Sequence, residues 1–226
     1  VDLDRDLAGP PGEGGRHPLP RPEQFTAVVQ RLGITPATPV VVYDDMGGQL
    51  AAARAWWMLN CWAGHPEVRV LDGGFQAWSA EGGEILSHHA PPVLPEPSRW
   101  QPDYRQDGLV DAQRVGAGRD LKLDARSRER YRGEAEPIDS VAGHIPGAVC
   151  RPSATNLDAQ GHFKAPEVLV SELPGAESVV AYCGSGITAC HHILAYAVAG
   201  RPLPKLYPGS WSEWIRDPGR PVATGE

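Results

Sequence analysis

Long apolar runs are missing from this chain. None approaches the roughly 18 consecutive apolar residues that cross a bilayer. The opening Val1-Asp2-Leu3-Asp4 is acidic and unlike a secretion signal. Cysteine is scarce: Cys61, Cys150, Cys183 and Cys190 form no Cys-x-x-Cys pair. That argues against a disulfide framework or a structural zinc site, and for reduced thiols in a cytoplasmic compartment. Positive charge is in deficit, with 21 Lys and Arg against 28 Asp and Glu and a formal net charge of −7. Non-specific binding of nucleic acid or of an anionic membrane needs clustered basic residues, so neither is an expected partner. What is present is an ordinary apolar fraction, 41% of 226 residues, enough for a sizeable core. The 26 Gly and 23 Pro punctuate it with turns.

The chain repeats itself. Val40-Val41-Val42-Tyr43-Asp44 is an apolar run that stops at a polar residue and leads into Ala51-Ala52-Ala53-Arg54-Ala55-Trp56-Trp57. Val179-Val180-Ala181-Tyr182-Cys183 does the same, through Gly184-Ser185-Gly186 into Thr188-Ala189-Cys190-His191-His192-Ile193-Leu194-Ala195. Each reads as a buried strand, a tight loop and a helix. Each is followed by a second motif, Leu71-Asp72-Gly73-Gly74-Phe75-Gln76-Ala77-Trp78 and Tyr207-Pro208-Gly209-Ser210-Trp211-Ser212-Glu213-Trp214. The offsets are about 139 and about 136 positions, and two ordered matches at nearly one offset indicate a duplicated α/β unit.

The copies are unequal. The second is preceded by Leu121-Lys122-Leu123-Asp124-Ala125-Arg126, a further strand, and by Gly143-His144-Ile145-Pro146-Gly147-Ala148-Val149. The first has no counterparts to these. Roughly one strand, one helix and their loops are therefore expected to be absent upstream of Val1, unless a divergent first domain never had them. A missing strand would open a sheet edge. Between the copies, the stretch from His88 to Pro97 carries four prolines and reads as an extended linker. The expected organisation is a first domain over 1–90, a linker over 91–103 and a second domain over 104–226.

Cys183 stands where a strand meets a helix. Gly184 and Gly186 let the loop fold tightly and turn N–H groups inward. The following helix adds partial positive charge. Both favour a thiolate over a thiol, and the same cradle suits an anionic sulfur carried on the cysteine. A buried, inert cysteine is the plain alternative, and the Gly-Ser-Gly behind it weighs against that. Cys61, Cys150 and Cys190 read as structural.

At these residues a resemblance is plain. Cys183-Gly184-Ser185-Gly186-Ile187-Thr188 closely resembles the active-site loop of the 3-mercaptopyruvate sulfurtransferases, within the rhodanese superfamily. Gly143-His144-Ile145-Pro146-Gly147-Ala148 resembles the signature of the preceding loop, and Gly209-Ser210-Trp211-Ser212-Glu213-Trp214 the carboxy-terminal one. The resemblance implies an α/β fold of two rhodanese-like domains, each a mainly parallel sheet flanked by helices, the first lacking its N-terminal part. Asp44 stands where the first repeat would need a cysteine, so that domain is expected to be silent.

The resemblance further implies a proton relay of Ser185, His17 and Asp4, and a donor carboxylate bound by Arg130. Gly184, Gly186, Ile187 and Thr188 line the sulfur. Trp211 and Trp214 wall the pocket or belong to the core, and Asp124 holds neighbouring loops. Some relatives carry a second arginine after the next Glu-Pro, but here Glu136-Pro137 is followed by Ile138-Asp139. Arg132 and Arg151 are the alternatives left. The expected reaction is sulfur transfer from 3-mercaptopyruvate through a Cys183 persulfide to a thiol, such as a thioredoxin-like protein, or to cyanide, with no metal or organic cofactor. Thiosulfate is the rival donor, and a non-catalytic binding module the rival class. A cysteine phosphatase needs an arginine six positions after the nucleophile, where Ala189 stands. A metal site on Cys183, Cys190, His191 and His192 is disfavoured, because adjacent helical residues diverge by about 100°.

Overall fold

The structure is a computed structural model that describes residues 1–86 and 95–226. Its first part opens with α1 (Leu3–Asp6), capped by the Asp2 side chain, which accepts from the Arg5 N–H. Helix α2 (Pro22–Arg31) starts on a proline and buries Phe25 and Val29. Strand β1 (Val40–Val42) pairs in parallel with β2 (Val68–Val70), Val40 opposite Val68. Between them run α3 (Ala51–Trp56) and a π-helical stretch, Trp57–Trp62. Helix α4 (Gly74–Ala80) follows β2.

The second part holds α5 (Ala112–Gly116), β3 (Leu121–Asp124), α6 (Arg128–Arg132) and β4 (Ala148–Cys150). A 3-10 turn over Ser153–Asn156 and α7 (Pro166–Glu172) lead to β5 (Val179–Tyr182), α8 (Ala189–Val198), β6 (Lys205–Leu206) and α9 (Ser210–Trp214). The strands form one parallel sheet in the order β4-β3-β5-β6. All four residues of β5 are buried, which is why it reads as a continuous apolar run rather than an alternating one.

The two repeats superimpose in sequence logic. In each, a strand runs into a loop and a helix (β1 to α3, β5 to α8), and a second strand runs into a short helix (β2 to α4, β6 to α9). Their packing is shared. One apolar cluster joins Phe25, Trp56, Trp57 and Leu59 to Ala181, Cys183, Cys190 and Ile193. Cys183 thus lies where the two parts meet.

The boundary at residue 90 and the start of the expected linker lie outside the described residues. From Pro95 the chain packs on the first part. The Ser98 N–H donates to Gln30 O, Tyr104 Oη pairs with Thr26 Oγ1, and the Arg105 N–H donates to Trp62 O. Among the described residues no helix is long and apolar enough to cross a membrane.

Helix α8 is buried nearly all round, His191 and His192 included. Their divergence does not keep them apart from a common partner. The Nδ1 atoms of both lie 3.1 Å from Asn156 Nδ2, which has one N–H for each. Burial pushes His191 down to about 4 and His192 to about 3, so both are neutral acceptors. The pair converges on a core amide, not on Cys183.

Candidate active site

Cys183 directly follows β5, an inner strand of the parallel sheet, where the chain turns toward α8. The Gly186 N–H donates to Cys183 Sγ at 3.1 Å. Gly186 has φ +83°, and a Cβ there would collide with the Pro208 carbonyl, so only glycine brings that amide to the sulfur. Segment 209–212 braces the loop from the other side. Trp211 N–H donates to Cys183 O at 3.0 Å and Ser212 N–H to Gly184 O at 2.9 Å. The Cys183 N–H donates to Ser210 Oγ at 3.1 Å. Ser210 holds φ +53°, the one non-glycine residue of positive φ among the described residues. Its hydroxyl is what the strained backbone places.

The first repeat shows the same frame with a different centre. Gly74 takes the place of Ser210, at φ +62°, and the Phe75 N–H donates to Asp44 O at 3.0 Å as Trp211 does to Cys183. Asp44 gathers the loop amides onto its own carboxylate. Oδ1 accepts from Met46 and Gly48 at 3.0 and 2.7 Å, and Oδ2 from Leu50 and Ala52 at 3.1 Å each. A built-in anion fills the cradle that the second repeat leaves to sulfur.

Segment 7–20 of the first part lies over the cysteine loop. The Arg16 N–H donates to Ser212 Oγ at 3.0 Å, which delivers the next residue to the site. His17 Nδ1 lies 2.8 Å from Ser185 Oγ and His17 Nε2 3.3 Å from Asp4 Oδ1. The structure therefore brings Ser185, His17 and Asp4 into one chain of contacts beside Cys183. Burial lowers the His17 pKa below its usual 6.5, against the pull of Asp4, and Arg16 and Arg54 add to the lowering. His17 is thus a neutral base at pH 7. Asp4 is 80% exposed, so its contact orients the ring more than it stabilises a charge.

Arg130 projects from α6 into a cluster of charges. Its Nη2 reaches Glu136 at 2.8 Å and Asp139 at 3.0 Å. Arg16 Nη1 forms an ion pair with the same Asp139. Burial works to raise Glu136, but the bonds from Arg130 and from the Asp139 and Ile138 amides leave it lowered. Each guanidinium group also turns one nitrogen toward Gly184. A Cβ on Gly184 would lie 3.0 Å from Arg16 Nη2 and 3.4 Å from Arg130 Nη1. Neither of the alternatives named from sequence is there: Arg132 pairs with Glu226, and Arg151 is turned to Asn156 and Glu172. The second arginine at the loop is Arg16, from the other domain. Its one sequence signal is its place next to His17.

The remaining expected residues fall into two groups. Of the loop, Gly186 meets the sulfur, Gly184 faces the arginines, Ile187 is buried in the core and Thr188 precedes α8. Asp124 holds the buried Arg126 through both carboxylate oxygens, and Trp211 and Trp214 are core residues. Cys61 and Cys190 are pushed up to about 12 and Cys150 to about 11 by burial, so all three remain thiols.

The geometry sets the Cys183 sulfur against the Gly186 amide, with His17 at one side and two guanidinium groups at the other. The model of the rhodanese-like domain matches residues 7–81 and 111–217. A Pseudomonas aeruginosa protein named "Probable 3-mercaptopyruvate sulfurtransferase" is 47% identical over 239 residues, covering 100% of this chain and 82% of that protein. The thiosulfate sulfurtransferase of Gallus gallus is 36% identical over 207 residues, covering 87% of this chain and 70% of the relative. Among solved structures, the 3-mercaptopyruvate sulfurtransferase from Leishmania major is similar at a TM-score of 0.81 and 30% identity, over 96% of this chain and 63% of that one. With a rhodanese-like match in each repeat and relatives of this kind along its whole length, the chain belongs to the rhodanese family and is one of its two-domain sulfurtransferases.

Proposed function

We propose that the sulfur donor is 3-mercaptopyruvate, that Cys183 carries the sulfur, and that a thiol, such as a thioredoxin-like protein, or cyanide receives it. Residues 104–226 form the catalytic domain in this reading. Residues 1–90 form a silent one that supplies His17, Asp4 and Arg16 across the interface, and 91–103 join the two. The site is cytoplasmic, where thiols stay reduced.

The observation that carries the donor is the pair of guanidinium edges, Arg16 Nη2 and Arg130 Nη1, over Gly184 next to the nucleophile. A carboxylate fits such a fork. The Cys183 thiolate attacks the donor sulfur, forming an S–S bond as the C–S bond breaks and its electron pair leaves as pyruvate enolate. The thiol proton passes through Ser185 and His17, held by Asp4, and is returned to the enolate carbon to give pyruvate. Cys183 is left as a persulfide anion, steadied by the Gly186 N–H. The acceptor attacks the outer sulfur, the S–S bond breaks, and the Cys183 thiolate is restored.

Thiosulfate is the second reading, since relatives of similar likeness carry that name. It suits the loop less well, because no basic residue follows Cys183 over positions 184–188. Intact-mass measurement after brief exposure to each donor separates the readings. One added sulfur on Cys183 from 3-mercaptopyruvate and little from thiosulfate is expected, and none on Cys183→Ser. Loading by thiosulfate alone overturns the donor, and loading by neither leaves a binding module.

A further inference from the structure

The charges around the cysteine loop come in opposed pairs, with one exception. Arg16 and Arg130 face Asp139 and Glu136, Arg126 faces Asp124, and His17 faces Asp4. The exception is Arg54, on α3 of the first domain. It is fully buried, and among the described residues no carboxylate lies within ion-pair distance of it. Its fork donates to carbonyl oxygens, Nε to Leu7 at 3.3 Å, Nη2 to His17 at 3.2 Å and Nη1 to Gly186 at 3.0 Å, and the Cys190 thiol lies beside it, with Cys183 next. An arginine side chain does not lose its proton in a protein. A buried cation without a counter-charge is unfavourable and calls for an anion.

The position says which anion. Gly186, whose carbonyl accepts from Arg54, is the residue whose N–H donates to Cys183 Sγ. Cys190 cannot serve, because burial holds it as a thiol, and its Sγ itself points at Gly186 O at 3.4 Å. Leu7 and His17 both belong to segment 7–20, which lies over the loop. One side chain therefore grips that segment and the sulfur-bearing loop together.

We propose that Arg54 is the counter-cation of the active-site sulfur: a positioning residue through which the silent domain stabilises the Cys183 thiolate and persulfide and fixes His17 above them. The proposal rests on Cys183 being the sulfur carrier. It assigns the first domain an electrostatic part in the reaction besides its contacts. It also explains a lone cation in the otherwise apolar stretch Ala51-Ala52-Ala53-Arg54-Ala55-Trp56-Trp57. Other groups near Cys183 that titrate or carry charge are Cys190, His17, Arg16 and Arg130, none of which the substitutions below remove.

The test is the pH dependence of Cys183 alkylation by iodoacetamide, an uncharged reagent that reads thiolate alone, on the full chain. Arg54→Met should move the midpoint upward by about one pH unit or more, as expected when a buried opposite charge is removed. Arg54→Lys, which keeps the charge, should restore most of it. A structural role alone would lower the melting temperature of both variants and leave the midpoint in place, and that result overturns the proposal. If Arg54→Met does not fold, Arg54→Gln, which keeps an amide donor for the carbonyls, replaces it. Independently of any change at Arg54, Cys183→Asp should melt above Cys183→Asn, because a fixed anion satisfies the buried cation as Asp44 satisfies its own loop. The opposite order overturns the proposal. Sulfur loading of the unmodified protein by 3-mercaptopyruvate, run alongside, distinguishes the two failures. An unloaded protein refutes Cys183 as carrier, whereas a loaded protein with an unmoved midpoint refutes Arg54 alone.

Discussion

Replacing Arg16 by Met keeps the length of the stem and removes the fork. The backbone bond from Arg16 N–H to Ser212 Oγ survives, so segment 7–20 stays docked. Asp139 keeps Arg130 as a partner. What is lost is one guanidinium edge over Gly184. A hydrogen bond to a charged group contributes about 1.5–3 kcal/mol. The Arg16 side chain is 28% exposed, so the lower half of that range applies. At about 1.4 kcal/mol per tenfold, kcat/KM for 3-mercaptopyruvate should fall about 10- to 40-fold. The loss should appear mainly in KM, because the carboxylate is held equally before and during sulfur transfer. A second assay isolates the carboxylate. Iodoacetate and iodoacetamide alkylate a thiolate by the same displacement and differ in that one group. The ratio of their rates on Cys183 should fall in Arg16→Met by a similar factor, and any change in thiolate fraction cancels in it because both reagents share it. An unchanged ratio together with an unchanged KM would refute the assignment of Arg16 to the donor carboxylate.

Other outcomes follow from the same geometry. His17 acts as a base only when neutral, and burial has lowered its pKa, so the acid limb of kcat should lie below pH 6.5. Asp4 raises that pKa, so Asp4→Asn should shift the limb to still lower pH, and a shift upward would contradict the contact. At pH 8, iodoacetamide should add one group per chain, on Cys183, since burial holds the other three thiols near 11 or 12; rapid labelling of Cys150 or Cys190 would count against this. Gly186→Ala should lose at least the ~1–2 kcal/mol of left-handed backbone strain, by chemical denaturation, and most of the sulfur loading.

How much of this was legible beforehand depended on how far apart the partners lie along the chain. The strand-loop-helix units, the parallel sheets and the place of Cys183 are local patterns, and periodicity carries them. The meeting of Ser185 with His17 spans 168 positions. It was legible only through the family resemblance, which supplied the pairing that no spacing encodes. Arg16 with Asp139, 123 positions apart, lay beyond both, because the family pattern pointed to an arginine after Glu136-Pro137. The π-helical turn over Trp57–Trp62 was also unforeseen. That stretch is apolar throughout, and packing against α8 rather than propensity decides its winding. The left-handed Ser210 is another such case: a serine there makes sense only once its hydroxyl is seen on the Cys183 amide.

The two repeats differ at the point where each loop collects its charge. Both present a strand end, a loop that turns backbone N–H toward one point and a helix, and both therefore favour negative charge there. In the first repeat Asp44 supplies that charge permanently through four N–H bonds, and the loop is finished. In the second, Cys183 supplies a charge that must come and go with sulfur. The stabilising groups are accordingly fewer on the sulfur itself, a single N–H from Gly186, and the rest are placed around it on other elements: Arg54 behind, His17 and Ser185 beside, Arg16 and Arg130 in front. Three of those five side chains belong to the first domain. A cradle that held the thiolate as tightly as the first loop holds its carboxylate would resist giving the electron pair to a donor sulfur. In the proposed reaction, stabilisation spread across the interface keeps the anion available and gives the first domain its part. Asp44→Cys puts this to the test: the new thiol sits in amides alone, without the arginines or the relay, and should take up no sulfur from 3-mercaptopyruvate while Cys183 in the same chain loads normally.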